Sequence, residues 1–137
     1  MPHAAATRYQ AVQITTSDPG AILIALFDGL FKFLLQAQHA LRSGRRPAGS
    51  EAISRAHAIL SELLVALDPR HSPQLCANLS GLYNFALSRL LYASRSGDVA
   101  AIDEVVRVLA PVREAFTTVV KNQKQAGAAP ITVFEAR

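Results

Sequence analysis

Apolar side chains recur every three or four residues over four separate stretches of this chain, and polar or helix-breaking residues separate the stretches. This spacing matches one face of an α-helix, and no run of residues alternates as a half-buried strand does. The first stretch extends from about Pro19 to Arg42, and its main apolar face comprises Ile22, Leu23, Leu26, Phe27, Leu30, Phe33, Leu34 and Ala37. The pattern predicts an all-α protein.

Residues that cap or break helices bound each stretch. A capping side chain followed by proline is typical of a helix start, and glycine or a residue before proline is typical of an end. Short connections force antiparallel neighbours, which predicts an antiparallel up-down-up-down four-helix bundle over residues 17–125, between flexible tails 1–16 and 126–137. The predicted boundaries are Ser17-Asp18-Pro19 to Ser43-Gly44, Pro47 to Asp68-Pro69, Ser72-Pro73 to Ser96-Gly97, and Asp98 to about Lys124.

Pro111 lies inside the fourth predicted helix. Proline removes one backbone hydrogen bond and crowds the preceding turn, so the helix either kinks there or divides in two. A kink is favoured, because one apolar face continues from Ile102 to Val120 across the proline.

Two predicted helices carry more apolar surface than one core face requires. On the first, Ile24, Phe31 and Leu35 form a second stripe beside the main face. A helix that is apolar over most of its circumference is either covered on several sides or meets a partner. On the third, Phe85 and Tyr92 fall outside the expected core face of Leu75, Leu79, Leu82, Tyr83, Ala86 and Leu90.

The composition favours a packed globule: half of the 137 residues are hydrophobic and 18% are charged. The net charge of +4 comes mostly from arginine, but the one dense basic run, Arg42 to Arg46, has no aromatic residue for base stacking, which disfavours nucleic-acid binding. The apolar stretch from Ala21 to Leu35 is interrupted by Asp28 and Lys32, and we expect no membrane insertion. The N-terminus lacks an apolar signal-peptide core, so a cytoplasmic location is expected.

The residue types of catalysis and metal binding do not cluster in this sequence. No Glu is followed three residues later by His, the four histidines are isolated, and no glycine loop of the phosphate-binding kind is present. Cys76, the single cysteine, is expected to be a buried thiol. The sequence therefore predicts no enzymatic activity, no cofactor and no metal.

Several segments together resemble the flagellar secretion chaperone FliS family, the flagellin-specific export chaperones. In chain order they are Tyr9-Gln10, Ile14 to Gly20, Ile22 to Gly29, Leu67-Asp68, Ala77 to Phe85, Arg89 to Ala93, Asp98, Glu104-Val105, and Leu109 to Phe116. The resemblance implies a cytosolic chaperone that binds the disordered C-terminal region of flagellin, prevents premature polymerisation and aids its type III export. It also implies docking on the flagellar export gate protein, and no need for ATP. We expect a monomer or a weak homodimer.

The candidate partner-binding residues combine the second stripe, the family-like segment of the third helix and two apolar residues of the tail. The tail is expected to act as a lid over the client site or as a gate-docking motif. Two alternatives stay open: an adaptor or chaperone for another export client, and a structural bundle that oligomerises through the second stripe. The candidates are Tyr9, Ile14, Ile24, Phe31, Leu35, Asn78, Leu79, Leu82, Tyr83, Phe85 and Tyr92.

Overall fold

Four helices make up most of residues 18–126, the part of the chain that the computed structural model describes. Each begins and ends within a few residues of its predicted boundary, so the all-α four-helix prediction is confirmed. The second helix ends three residues before Asp68, earlier than the Asp68-Pro69 pair suggested. The helices are α1 (Pro19–Arg42), α2 (Arg46–Val65), α3 (Pro73–Ser96) and α4 (Val99–Ala126).

Local hydrogen bonds explain most of the helix ends. The Asp18 carboxylate accepts a hydrogen bond of 2.9 Å from the Gly20 amide at the start of α1, and Asp98 accepts one of 3.0 Å from Ala100 at the start of α4. Gly97 ends α3 with a φ of 74°, in the left-handed region that glycine adopts at least cost. Ser72 occupies the cap position of α3, but its side chain makes no capping hydrogen bond.

Pro111 neither divides nor ends α4, which is one continuous helix from Val99 to Ala126. The proline side chain is exposed, so its ring faces solvent rather than the core. The helix tolerates the lost backbone hydrogen bond because the apolar residues on both sides of it pack into the same core.

The core closes as a ring of four helices: each helix packs on the next one along the chain, and α4 packs back on α1. The rings of Phe27 and Phe116 stack across this last contact with centroids 5.9 Å apart. Leu75 was expected in the core but is 43% exposed, because the next residue, Cys76, takes the inward position in this turn of α3. The largest fully buried side chains are Tyr83, Phe27, Leu30, Leu34, Ile53, Leu60, Leu90, Ile102, Leu109 and Val105.

By length and composition alone, α1 is apolar enough to span a membrane, as core helices of soluble proteins also can be. The two charged residues Asp28 and Lys32 do not lower its hydropathy enough to exclude a span. In the fold, however, Leu23, Phe27 and Leu30 on α1 are buried against the other helices. Its apolar character is therefore accounted for by its place in the bundle core and along the groove described next.

Candidate functional site

The surplus apolar stripe of α1 borders a groove between α1 and α4. Its apolar lining consists of Phe31 and Leu35 from α1 and Val106 from α4, and the groove has a volume of about 390 Å³. Leu35 is 66% exposed although it is a large hydrophobic residue in the middle of a helix. Phe31 is half-buried and packs against the core from the groove side.

Polar contacts close both ends of this groove. At one end, Arg113 Nη2 of α4 donates a hydrogen bond of 2.5 Å to Asp28 Oδ1 of α1, and the same guanidinium lies 4.9 Å from the centre of the Phe31 ring. At the other end, Asp103 accepts hydrogen bonds of 2.8 Å from Gln38 and of 2.8 and 2.9 Å from Arg42. The groove is thus an apolar surface bounded by ion pairs that also join α1 to α4.

The exposed aromatic residues of α3 include Tyr92, which lies beside a side chain that reaches α4. This side chain is Arg89, whose Nε donates a hydrogen bond of 2.8 Å to Glu104 of α4 while its guanidinium lies 4.7 Å above the Tyr92 ring. Phe85 and Tyr92 are 39% and 40% exposed. The surplus apolar residues of α1 and of α3 thus lie on the two helices that pack against α4.

The structure divides the predicted partner-binding residues into three groups. Leu35, Asn78, Phe85 and Tyr92 are exposed, and Ile24, Phe31 and Leu82 are half-buried at the surface. The remaining two described residues, Leu79 and Tyr83, are buried in the core. Tyr9 and Ile14 lie outside the described residues.

Leu79 and Tyr83 do not belong to the candidate surface. They are 4% and 1% exposed, so a partner docking on the folded bundle would not contact their side chains. Burial also raises the pKa of the Tyr83 hydroxyl well above its usual range. They lie one turn apart on the inward side of α3, which is why a sequence match in this segment also included core residues.

Leu91 is a surface hydrophobic residue that the sequence analysis missed; it is 49% exposed on α3. Its neighbour Leu90 is fully buried, and successive residues of a helix point about 100° apart. The adjacent pair Leu90-Leu91 was therefore a signal that one leucine lies outside the core.

The arrangement offers surfaces for binding. Among residues 18–126, no three His, Cys, Asp or Glu side chains are grouped so that they could hold a metal ion. Cys76 is buried. The α1–α4 groove, with its charged rim, and the exposed aromatic residues of α3 suit an apolar segment of another polypeptide.

Comparison with known proteins agrees with this geometry. The family model described as "Flagellar protein FliS" matches residues 1–123. The chain belongs to the FliS family. The curated relatives are flagellar secretion chaperones, and the resemblance drawn from the sequence motifs is confirmed.

Two curated relatives and one solved structure illustrate the match. The flagellar secretion chaperone FliS of Salmonella typhimurium is 35% identical over 104 residues, which cover 75% of this chain and 77% of that protein. The flagellar secretion chaperone FliSB of Pseudomonas aeruginosa is 30% identical over 113 residues, which cover 80% of this chain and 90% of that protein. The crystal structure of a bacterial flagellar chaperone superimposes with a TM-score of 0.70 at 23% identity, covering 89% of this chain and 99% of that one, and shows the shared fold.

Proposed function

We propose that this protein is a cytosolic chaperone for flagellin. It binds the C-terminal region of flagellin, keeps it from polymerising in the cytosol and delivers it to the flagellar type III export apparatus. FliS family membership over residues 1–123 supports the flagellar role. The observation that carries the binding role is Leu35, a leucine 66% exposed in an apolar groove between two helices.

The α1–α4 groove and the exposed aromatic residues of α3 suit a client that is disordered before it binds. A disordered segment can fold onto its partner as short amphipathic helices and wrap around a large surface. One such helix on the α1–α4 groove would cover Phe31, Leu35 and Val106. Another on the α3 side of α4 would cover Phe85 and Tyr92, so that a single client segment engages both faces.

Titration of the protein with the C-terminal segment of flagellin tests this proposal. Leu35→Glu and Phe85→Glu should each weaken binding by roughly 1–4 kcal/mol, the range of interface hot spots, because each puts a charge into an apolar contact. Val65→Glu is the matched control, since Val65 is 81% exposed at the end of α2 and belongs neither to the α1–α4 groove nor to α3.

Circular dichroism of each variant separates lost binding from lost folding. A wild-type protein that does not bind the flagellin segment would contradict the proposed client. Equal binding by all three variants would contradict the proposed surface, and neither the α1–α4 groove nor the exposed aromatic residues of α3 would then have a role in client binding.

We further propose that residues 1–16 act at the same surface. Gly20 at the start of α1 packs so closely on α4 that a Cβ added there would lie 2.8 Å from Val120 Cγ1. Helix α1 therefore begins at the seam between α1 and α4, the two helices that border the groove. Tyr9 and Ile14 would cover it in the free protein and leave it when the client binds.

Hydrogen exchange tests the lid. Amides near Tyr9 should be partly protected in the free protein and less protected in the complex, because a lid competes with the client. Random-coil exchange rates in both states would exclude a lid. Export-gate docking would then be the remaining role proposed for this segment.

A further inference from the structure

The charges that line the α1–α4 groove balance one another with one exception. Asp28 and Arg113 both line the groove and form an ion pair with each other. Lys32 lines the same groove, and within residues 18–126 its ammonium makes no ion pair with a carboxylate. Its Nζ instead lies 5.8 Å from the centre of the Phe33 ring. The groove therefore carries one cation in excess.

Arg113 is a second positively charged residue of the groove, and it has further hydrogen-bond donors. A guanidinium has five N–H donors, and Asp28 receives its bond from one nitrogen, Nη2. Stacking on Phe31 holds the guanidinium at the groove. Arg113 and Lys32 therefore both line a groove whose floor is apolar, and the charges of its lining residues sum to an excess of one positive charge.

The two carboxylates in and beside the groove already accept hydrogen bonds from neighbouring side chains. Asp103 accepts three hydrogen bonds, one from Gln38 and two from Arg42. Asp28 is held by Arg113 on the opposite helix. A basic side chain entering the groove would have to compete with these partners, and it would be repelled by Lys32. A neutral segment would cover Lys32 without giving it a counter-charge, which disfavours burial.

We propose that the client segment that docks in the α1–α4 groove is an acidic amphipathic segment. Its apolar side chains cover Phe31, Leu35 and Val106, and one of its carboxylates pairs with Lys32 at the rim. Lys32 is then a residue that determines which segment of a client binds here. This inference rests on the proposed function and adds to it the charge of the segment that the groove selects.

Charge reversal at Lys32 tests the proposal in the full-length protein. Titration with the flagellin C-terminal segment at low salt should show Lys32→Glu weakened by roughly three- to tenfold, the effect of losing one exposed ion pair and adding a repulsion. Lys121→Glu is the matched control, because Lys121 is an exposed lysine of α4 outside the groove and the change in net charge is the same. It should bind as the wild type does.

Salt dependence gives a second measurement. Wild-type affinity should fall as salt rises, because the rim pair is screened, and Lys32→Gln should show a weaker fall. Replacing the acidic residues of the flagellin segment with their amides should weaken binding to the wild type and have little effect on Lys32→Gln.

Each outcome bears on a separate conclusion. If the wild type binds and both charge reversals weaken binding equally, only net charge matters and the assignment of Lys32 is overturned. If neither reversal changes binding, the assignment is also overturned while the chaperone function stands. If the wild type does not bind the segment at all, the proposed function fails, and the acidic-segment assignment fails with it.

Discussion

At the residue scale, Asp68 is the one carboxylate of the described chain that is buried, at 4% exposure in the loop between α2 and α3. Arg70 compensates the burial: its side chain donates hydrogen bonds of 2.9 and 2.7 Å, and its backbone amide donates one of 3.1 Å. The hydrogen bonds of the Arg70 side chain lower the pKa of Asp68 from 3.8 to about 2, against the opposing effect of desolvation.

The lowered pKa predicts how stability depends on pH. Because the folded state holds the Asp68 proton less tightly than the unfolded state, its contribution is complete above about pH 4 and is lost as the pH falls toward about 2. Asp68→Asn should therefore be less stable than the wild type near neutral pH, and the difference should shrink over that acid range. Urea unfolding at a series of pH values measures this. Parallel curves for the two proteins would show that the pair with Arg70 contributes nothing.

Gly97 is a second residue whose identity is set by its surroundings. Its φ is 74°, and an added Cβ would lie 2.7 Å from Nη1 of Arg46. The other terminal nitrogen of this guanidinium, Nη2, donates a hydrogen bond of 3.0 Å to the Arg95 carbonyl. Gly44 has the same φ, but no heavy atom lies within 4 Å of the position of its Cβ. A side chain at Gly44 would meet backbone strain alone, whereas one at Gly97 would meet the same strain and a clash with Arg46.

We predict that Gly44→Ala destabilises the protein by about 1–2 kcal/mol, the strain of a left-handed residue. Gly97→Ala should cost more than that, because the Arg46 guanidinium must also move. Denaturant midpoints of the two variants make the comparison. Equal losses would show that Arg46 rearranges freely and does not fix this end of the bundle.

At the element scale, α4 contains a proline, Pro111, in its interior, where proline destabilises a helix. Pro111 is exposed, so it contributes little packing. We predict that Pro111→Ala stabilises the protein by roughly 1–3 kcal/mol, because it restores a backbone hydrogen bond and removes the steric clash with the preceding turn. Pro19→Ala is the matched control. Pro19 is in the first turn of α1, where a backbone amide would have no hydrogen-bond partner within the helix, so its absence costs nothing. A gain in the control as large as that of Pro111→Ala would refute the explanation.

At the scale of the whole molecule, the contact between the first and last helices decides whether four helices make one core. Phe27 and Phe116 stack across it, and Phe116 is 9% exposed. Phe116→Ala should lower the free energy of unfolding by about 3–5 kcal/mol, the usual loss for a buried phenylalanine. Val119→Ala is the control on the same helix, because Val119 is 43% exposed. Thermal unfolding followed by circular dichroism compares them, and equal losses would mean that α4 is not anchored through Phe116.

The number of helices, their order and most of their ends were determined by the sequence alone. The signals are local: Asp18 and Asp98 cap the amides two residues further along, and Gly97 adopts a backbone angle that other residues resist. The surplus apolar residues were also visible as a pattern, and Leu35, Phe85 and Tyr92 are indeed at the surface. Interactions between residues that are near in sequence need no tertiary information.

Only the tertiary structure decided which surplus residues remain accessible and what surrounds them. A rotation of α3 by a fraction of a turn would exchange buried Leu79 and Tyr83 for exposed Phe85, and periodicity does not define a helix rotation that finely. The pairs Asp28–Arg113 and Arg42–Asp103 join α1 to α4 across most of the chain. Such pairs depend on the register in which two distant helices pack, which is set by the shape of the whole core. For this reason the composition of the groove, and the unmatched charge of Lys32 within it, follow from the fold and not from any local stretch of sequence.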